Sequence, residues 1–245
     1  VCQSRFCSVA KTKSVNNTSA YDASSNLLVQ PLFSIIICTY NRARLLPRAL
    51  DSLLGQAGLA ADEWEGIIVD DGSTDATPAI VEQYCRRDAR FKAIRQSNAG
   101  VGAARDAGIQ IASGVYCTFL DSDDWYKPHH LAERKRLLLA RPDVQILHGG
   151  AEVIGSPFVA DKNDPTRLIH LSECVMEGTM VLKRLDTLAL GGFRALRYAE
   201  GSDLLHRAQK AGLVIATTQI PTYCYDRTTE DSLCTTSLQR PPIHQ

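Results

Sequence analysis

Two rhythms of apolar residues alternate along the chain. Unbroken β-branched and aromatic runs predict buried strands, and apolar residues three and four apart predict helices between them. Phe33 to Thr39 is the first such run, followed by Leu45, Leu46, Ala49, Leu50, Leu53 and Leu54 at helical spacing until Gly55. Glu65 to Asp70 predicts a second strand, Thr77 to Arg86 a helix and Phe91 to Arg95 a third strand. A helix carrying Arg105 then leads to a fourth strand at Val115 to Leu120. Pro128 opens a helix to about Ala140, and Val144 to His148 reads as another strand.

Beyond His148 the alternation loosens. Gly149 to Leu171 reads as strands and loops, Met180 to Leu182 as a strand, Arg184 to Leu190 as a short helix and Gly191 to Phe193 as a turn. Glu200 to Asp203 leads into a helix ending near Gly212, and Leu213 to Thr218 and Tyr223 to Tyr225 predict two last strands. Strand–helix alternation with short loops implies right-handed crossovers. The expected fold is a single-domain Rossmann-like α/β structure, a mostly parallel sheet flanked by helices. Residues 1–30, rich in Ser, Asn, Thr and Lys, predict a flexible arm, 31–230 the folded domain and 231–245 a tail.

Ligands of such sheets bind beyond the carboxyl ends of the strands. Four polar loops fall there: Tyr40-Asn41-Arg42, Asp70-Asp71-Gly72, Asn98-Ala99-Gly100 and Asp121-Ser122-Asp123. In the last of these, Asp121 and Asp123, two apart on an extended strand, point the same way and can converge on one ion. Hard carboxylate oxygens suit Mg²⁺ or Mn²⁺, with substrate phosphates completing the coordination. Taken alone, these acids equally well end the strand and cap the next helix.

Composition narrows the partners. The chain has 245 residues, 44% of them hydrophobic, enough for a large core, and its 27 Lys and Arg balance 27 Asp and Glu. No global field or basic stripe favours nucleic acid. The eight cysteines are scattered without CxxC spacing and read as reduced core residues, with Cys2–Cys7 or Cys224–Cys234 pairing open in an oxidising compartment. No apolar stretch approaches a transmembrane span and no signal peptide stands near Val1, so the expected setting is cytoplasmic, with attachment to a membrane surface left open. The chain opens on Val rather than Met, which leaves a fragment or processed form open.

Ser34 to Arg42, Val69 to Asp75, Asn98 to Gly100 through Ala104 to Gly108, and Phe119 to Asp124 together resemble the family 2 glycosyltransferases, which use the A-type nucleotide-sugar-binding fold. The similarity covers about Pro31 to Arg227. It implies a donor-binding half at 31–148 and an acceptor-side half at 149–230. It further implies that Thr39 and Tyr40 contact the nucleotide base and Asp71 hydrogen-bonds it, with Arg42, Asn98, Arg105 and Ser122 around the donor pocket. Asp121 would hold the ribose or the metal, and Asp123 the metal that bridges to the diphosphate. The implied partners are a nucleotide-diphosphate sugar, a UDP-sugar first, a divalent cation (Mn²⁺ or Mg²⁺), and a glycan, lipid-linked or protein acceptor.

Transfer needs a base for the acceptor hydroxyl, and a carboxylate suits it. The family usually has Glu-Asp after the Gly-Gly-Phe turn, and here the Glu aligns with Glu200 while the Asp position is Gly201. Glu200 or a shifted Asp203 is then the candidate base. The glycine keeps alive a catalytically silent nucleotide-sugar-binding or scaffold protein. A sugar nucleotidyltransferase is a weaker rival, because Thr39 to Arg44 is not its glycine-rich phosphate loop.

Overall fold

The computed structural model describes residues 30–161, 164, 166–194 and 200–228. The predicted arm, except Gln30, and the predicted tail lie outside the described residues. In chain order the elements are β1 (Phe33–Thr39), α1 (Leu46–Leu54), β2 (Trp64–Asp70), α2 (Thr77–Arg87), β3 (Phe91–Arg95), α3 (Val101–Ile111), β4 (Tyr116–Phe119), β5 (Trp125–Tyr126) and α4 (His130–Ala140). They continue with β6 (Ile146–Ile154), β7 (Phe158–Ala160), β8 (Leu168–His170), β9 (Val181–Lys183), α5 (Arg184–Ala189), α6 (Glu200–Lys210) and β10 (Ile215–Asp226). An eight-stranded sheet runs β3-β2-β1-β4-β9-β6-β10-β5, and β7 pairs with β8 in a small hairpin.

The alternation within β1 sets the layers. Phe33, Ile35 and Ile37 pack with Leu46, Leu50 and Leu53 of α1, Val81 and Tyr84 of α2, and Leu131 and Leu138 of α4. Ile36 faces the opposite side, with Ala104 and Ile109 of α3 and Leu204, Leu205 and Ala208 of α6. Successive side chains on a strand point to opposite faces, so one unbroken apolar run demands a helical layer on each. At Gly108 of α3 an added Cβ would lie 2.5 Å from Ile36 Cγ2. Glycine therefore lets α3 press directly onto β1. None of the described helices is long and apolar enough to cross a membrane.

β1 pairs in parallel with β2 and β4, and β2 with β3, which puts their carboxyl ends on one rim. Beyond β4 the sheet reverses, since β9 is antiparallel to both β4 and β6. Three strands differ from the sequence reading. The two predicted last strands form one element, β10, whose register against β6 shifts between Thr218 and Tyr223. Pro221 lies in that gap and has no N–H to give a ladder. Strand β6 runs on to Ile154, past the two glycines at which the pattern was expected to stop. Gly150 makes this possible: a Cβ there would come 2.3 Å from the Ile220 carbonyl oxygen in the bulge. Strand β5 has only two residues, too few for a periodic signal, and forms by pairing with Tyr223 and Cys224. Among the described cysteines, Cys117 and Cys224 are buried free thiols, whereas Cys2, Cys7 and Cys234 lie outside the described residues.

A buried carboxylate ties the amino ends of the strands together. Glu65 of β2 accepts from the Ser34 hydroxyl at 2.6 Å, from the Ser113 backbone and hydroxyl at 2.7 Å and from Lys92 at 2.7 Å. Burial works to raise its pKa, but the hydrogen bonds from Lys92, Ser34 and Ser113 outweigh burial and bring it down to about 2. A carboxyl depressed below its unfolded value contributes stability above about pH 4.5 that is lost as pH falls towards about 2, here about 3 kcal/mol. Glu65→Gln should remove much of this, lowering the unfolding free energy at pH 7 and flattening its decline between those two pH values. Urea titrations across that range check it; an equally steep decline in the variant would exclude the role.

Candidate active site

The four predicted loops meet at the carboxyl rim. The β1 and β2 loops brace each other: the Asn41 backbone donates to Ser73 Oγ at 2.9 Å, the Arg42 backbone to Thr77 Oγ1 at 2.9 Å, and Asn41 Oδ1 accepts from the Thr74 backbone at 2.8 Å. Asn41 takes a left-handed φ of 53° to do this, a conformation asparagine tolerates. Thr39 is buried, with no partner for its hydroxyl among the described residues, while Tyr40 beside it is exposed. Asp71 is also buried. Its carboxylate accepts from Gln96 at 2.8 Å and from the Ala99 and Gly100 backbones at 2.9 Å, fastening the third loop and the start of α3. Asn98 is exposed on that loop.

The acidic cluster is arranged differently from the expectation. Strand β4 ends at Phe119, and Asp121 to Asp124 fold into a turn closed by the Asp124 N–H on the Asp121 carbonyl at 3.0 Å. Asp121 and Asp123 are thus brought near each other by a turn and not by an extended strand. Asp124 is fully buried, accepting from the Tyr223 hydroxyl at 2.6 Å and the Asp226 backbone at 2.8 Å. It anchors the turn to β10. Ser122 is buried as well. Burial, and then the Asp121 charge, push the Asp123 carboxyl up to about 6, against the pull of Arg42.

Arg105 supplies the buried countercharge. Its guanidinium lies 3.1 Å from Asp121 Oδ1 and 5.8 and 5.7 Å from the Phe119 and Phe193 ring centres. Burial favours losing that proton, but Asp121, Glu177 and Glu200 outweigh burial and hold the group firmly charged. Arg48, which the sequence reading did not single out, bonds the Asp123 carbonyl, pairs with Asp226 at 2.8 Å and stacks 4.1 Å over Trp125. Tyr223, Asp226 and Glu177 were missed as well. No local pattern marks them, because each meets the cluster only through tertiary contact.

On the other wall, Glu200 is buried in the first turn of α6. The Gly201 backbone donates to Glu177 Oε1 at 3.0 Å. Asp203 is held by Arg207 at 2.8 Å and Arg194 at 3.4 Å, and Arg207 also donates to the Leu190 and Gly192 carbonyls. The structure therefore brings Asp121, Asp123, Arg105 and Glu200 into one electrostatic group and gives Asp203 to arginines.

Among the described residues, no three His, Cys, Asp or Glu side chains are grouped so as to hold an ion by themselves. Asp121 and Asp123 can supply two carboxylates, and burial first, then the Asp121 charge, raise the proton affinity of Asp123, which a nearby cation would oppose. Those residues fit a divalent cation whose remaining ligands come from a phosphate-bearing substrate.

This fold, with its polar rim beyond parallel strands, is that of the A-type nucleotide-sugar glycosyltransferases. The chain belongs to glycosyl transferase family 2, whose model matches residues 34–169. A succinoglycan biosynthesis protein, ExoO, of Rhizobium meliloti (strain 1021) is 38% identical over 163 residues, 66% of this chain and 42% of that protein. The chain spans about half or less of the length of the curated relatives it matches. Among solved structures, S. aureus TarS 1-349 in complex with UDP-GlcNAc superposes with a TM-score of 0.69 at 22% identity, covering 82% of this chain and 60% of that one. Mannosyltransferase PcManGT from Pyrobaculum calidifontis, in complex with GDP-Man and Mn²⁺, superposes with a TM-score of 0.64 at 22% identity, covering 80% and 56%.

Because Asp71 alone accepts from the Ala99 and Gly100 amides, Asp71→Ala should free both. Their hydrogen exchange should accelerate by about tenfold or more, while the β1 amides keep their protection. Unchanged exchange at Ala99 and Gly100 would show that the loop is held by other contacts.

Proposed function

We propose that the chain transfers a sugar from a nucleotide-diphosphate sugar, a UDP-sugar first, to an acceptor hydroxyl with inversion at the anomeric carbon. The observation that carries this reading is the buried Arg105 paired with the half-buried Asp121, next to Asp123 at the carboxyl rim of parallel strands. Residues 31–148 form the donor half and 149–230 the acceptor half. Thr39, through its unpartnered hydroxyl, and exposed Tyr40 receive the base. Asp71 reaches the base only through the acceptor capacity left over from its three loop bonds. Arg42, Asn98 and Ser122 line the same pocket.

Asp121 and Asp123 would hold Mn²⁺ or Mg²⁺ against the diphosphate. Such an ion, when bound, acts as a Lewis acid that neutralises charge on the departing nucleoside diphosphate. Arg105, 3.1 Å from Asp121 Oδ1, fixes that carboxylate in position before the donor arrives, so little reorganisation is needed at reaction. A carboxylate on the acceptor wall takes the hydroxyl proton. Of the two acids named from the sequence, Asp203 is engaged by Arg207 and Arg194 and Glu200 is buried in the first turn of α6. The kinship with a succinoglycan biosynthesis protein supports a glycan or glycoconjugate acceptor, and the superposed complexes with UDP-GlcNAc and with GDP-Man and Mn²⁺ support a nucleotide-sugar donor and a divalent ion. Gly201 favours a second reading, a silent nucleotide-sugar-binding protein, which turnover of donor separates from the first.

Calorimetric titration of UDP, GDP, CDP and dTDP, each with and without Mn²⁺, tests the donor site. One of them should bind only with the metal, and Asp123→Ala should abolish that binding while the circular dichroism stays unchanged. Equal affinity in the variant would overturn the role of Asp123, and no binding of any of the four to the wild type would overturn the donor site itself.

A further inference from the structure

A base for the acceptor must face the donor pocket, keep acceptor capacity for a proton and stay out of a strong ion pair. At position 201, where the family resemblance expects Asp, the space is already filled. A Cβ on Gly201 would lie 2.6 Å from Glu177 Cγ, 2.7 Å from its Oε1 and 2.9 Å from its Cδ. The carboxylate of Glu177 thus occupies the volume next to the first turn of α6, arriving from a segment 24 residues earlier.

That segment, the 3₁₀ turn Glu177–Thr179, is firmly seated. The Gly201 N–H donates to Glu177 Oε1 at 3.0 Å, and Thr179 Oγ1 donates to the Met176 carbonyl at 2.7 Å while accepting the Gly149 N–H at 3.0 Å. Between them, Gly178 presses on the Tyr223 ring, where a Cβ would meet the hydroxyl at 2.1 Å. Tyr223 in turn holds Asp124 of the acidic turn. Glu177 is therefore joined to the donor side through packing and, across the pocket, through the Arg105 charge it shares with Asp121. The residue is only half-buried. Burial raises its proton affinity, and Arg105 only partly offsets this.

We propose that Glu177 is the general base, its carboxylate standing in the volume beside Gly201 where the family resemblance expects one. The acceptor oxygen bonds the anomeric carbon, and its proton passes to the Glu177 carboxylate. The bond from that carbon to the diphosphate oxygen breaks, its electron pair leaving on the nucleoside diphosphate. Glu200, buried against the first turn of α3, acts on Arg105 and not on the acceptor. The assignment rests on the glycosyltransferase reading.

The test measures two quantities on the same preparations. Affinity for UDP, GDP, CDP and dTDP with Mn²⁺ is read by calorimetry, and turnover as nucleoside diphosphate released from UDP-glucose, UDP-galactose, UDP-N-acetylglucosamine and GDP-mannose, with water as acceptor. Glu177→Gln should lower release by about a hundredfold or more while nucleotide affinity stays within about threefold. Glu177→Ala combined with Gly201→Asp should recover at least about tenfold over Glu177→Ala alone, since removing the glutamate opens the space for a carboxylate at 201. A merely structural glutamate would not be rescued in that way. Normal nucleotide binding with unchanged release in Glu177→Gln, or no recovery in the double variant, overturns the assignment alone. Failure of the wild type to bind any of the four nucleotides overturns the transferase reading, and binding without release favours the silent one; in either case Glu177 loses its role.

Discussion

One buried guanidinium holds the rim of this protein together. Asp121, Glu177 and Glu200 reach the same interior from the end of β4, from a 3₁₀ turn and from the start of α6, and each interacts with Arg105. Without it, acids from three separate segments would face one another with no cation between them. Removing the guanidinium would leave the buried Glu200 and the half-buried Asp121 and Glu177 without their shared countercharge. The arrangement is thus self-consistent only when complete, which makes Arg105 a structural residue of the rim.

Its position follows from how α3 meets the sheet. Arg105 and Gly108 are three apart on α3 and so share a face. Gly108 lies directly on Ile36, drawing the helix onto β1. One turn earlier, the guanidinium comes to rest beside Phe119, at the end of the neighbouring strand. The loop before α3 is fastened by Asp71 from the end of β2. Packing below the rim and hydrogen bonds above it therefore fix the same helix, and the charged group it carries inherits that rigidity.

The far side of the rim depends on β10. Tyr223 and Asp226 hold Asp124, and Arg48 links Asp226 to the Asp123 carbonyl. The acidic turn is thereby suspended between β4 and β10 and braced by α1. Such a mount keeps two carboxylates close despite their repulsion, at an energy that a bound cation would relieve.

Local order along the chain specifies the strands and helices up to His148 other than β5, the flanking of the sheet by helices and the four polar loops at the carboxyl ends, because each is written in residues near one another in the chain. Periodicity of two or of 3.6 residues needs no partner to be read. Only the tertiary structure decided that the acids from Asp121 to Asp124 form a turn, that β10 is one strand with a bulge at Pro221, and that β5 exists at all. It alone brought Arg48, Tyr223 and Glu177 to the site. These are contacts between side chains and backbone far apart in sequence, set by which faces pack together, and a pattern read along the chain carries no record of them.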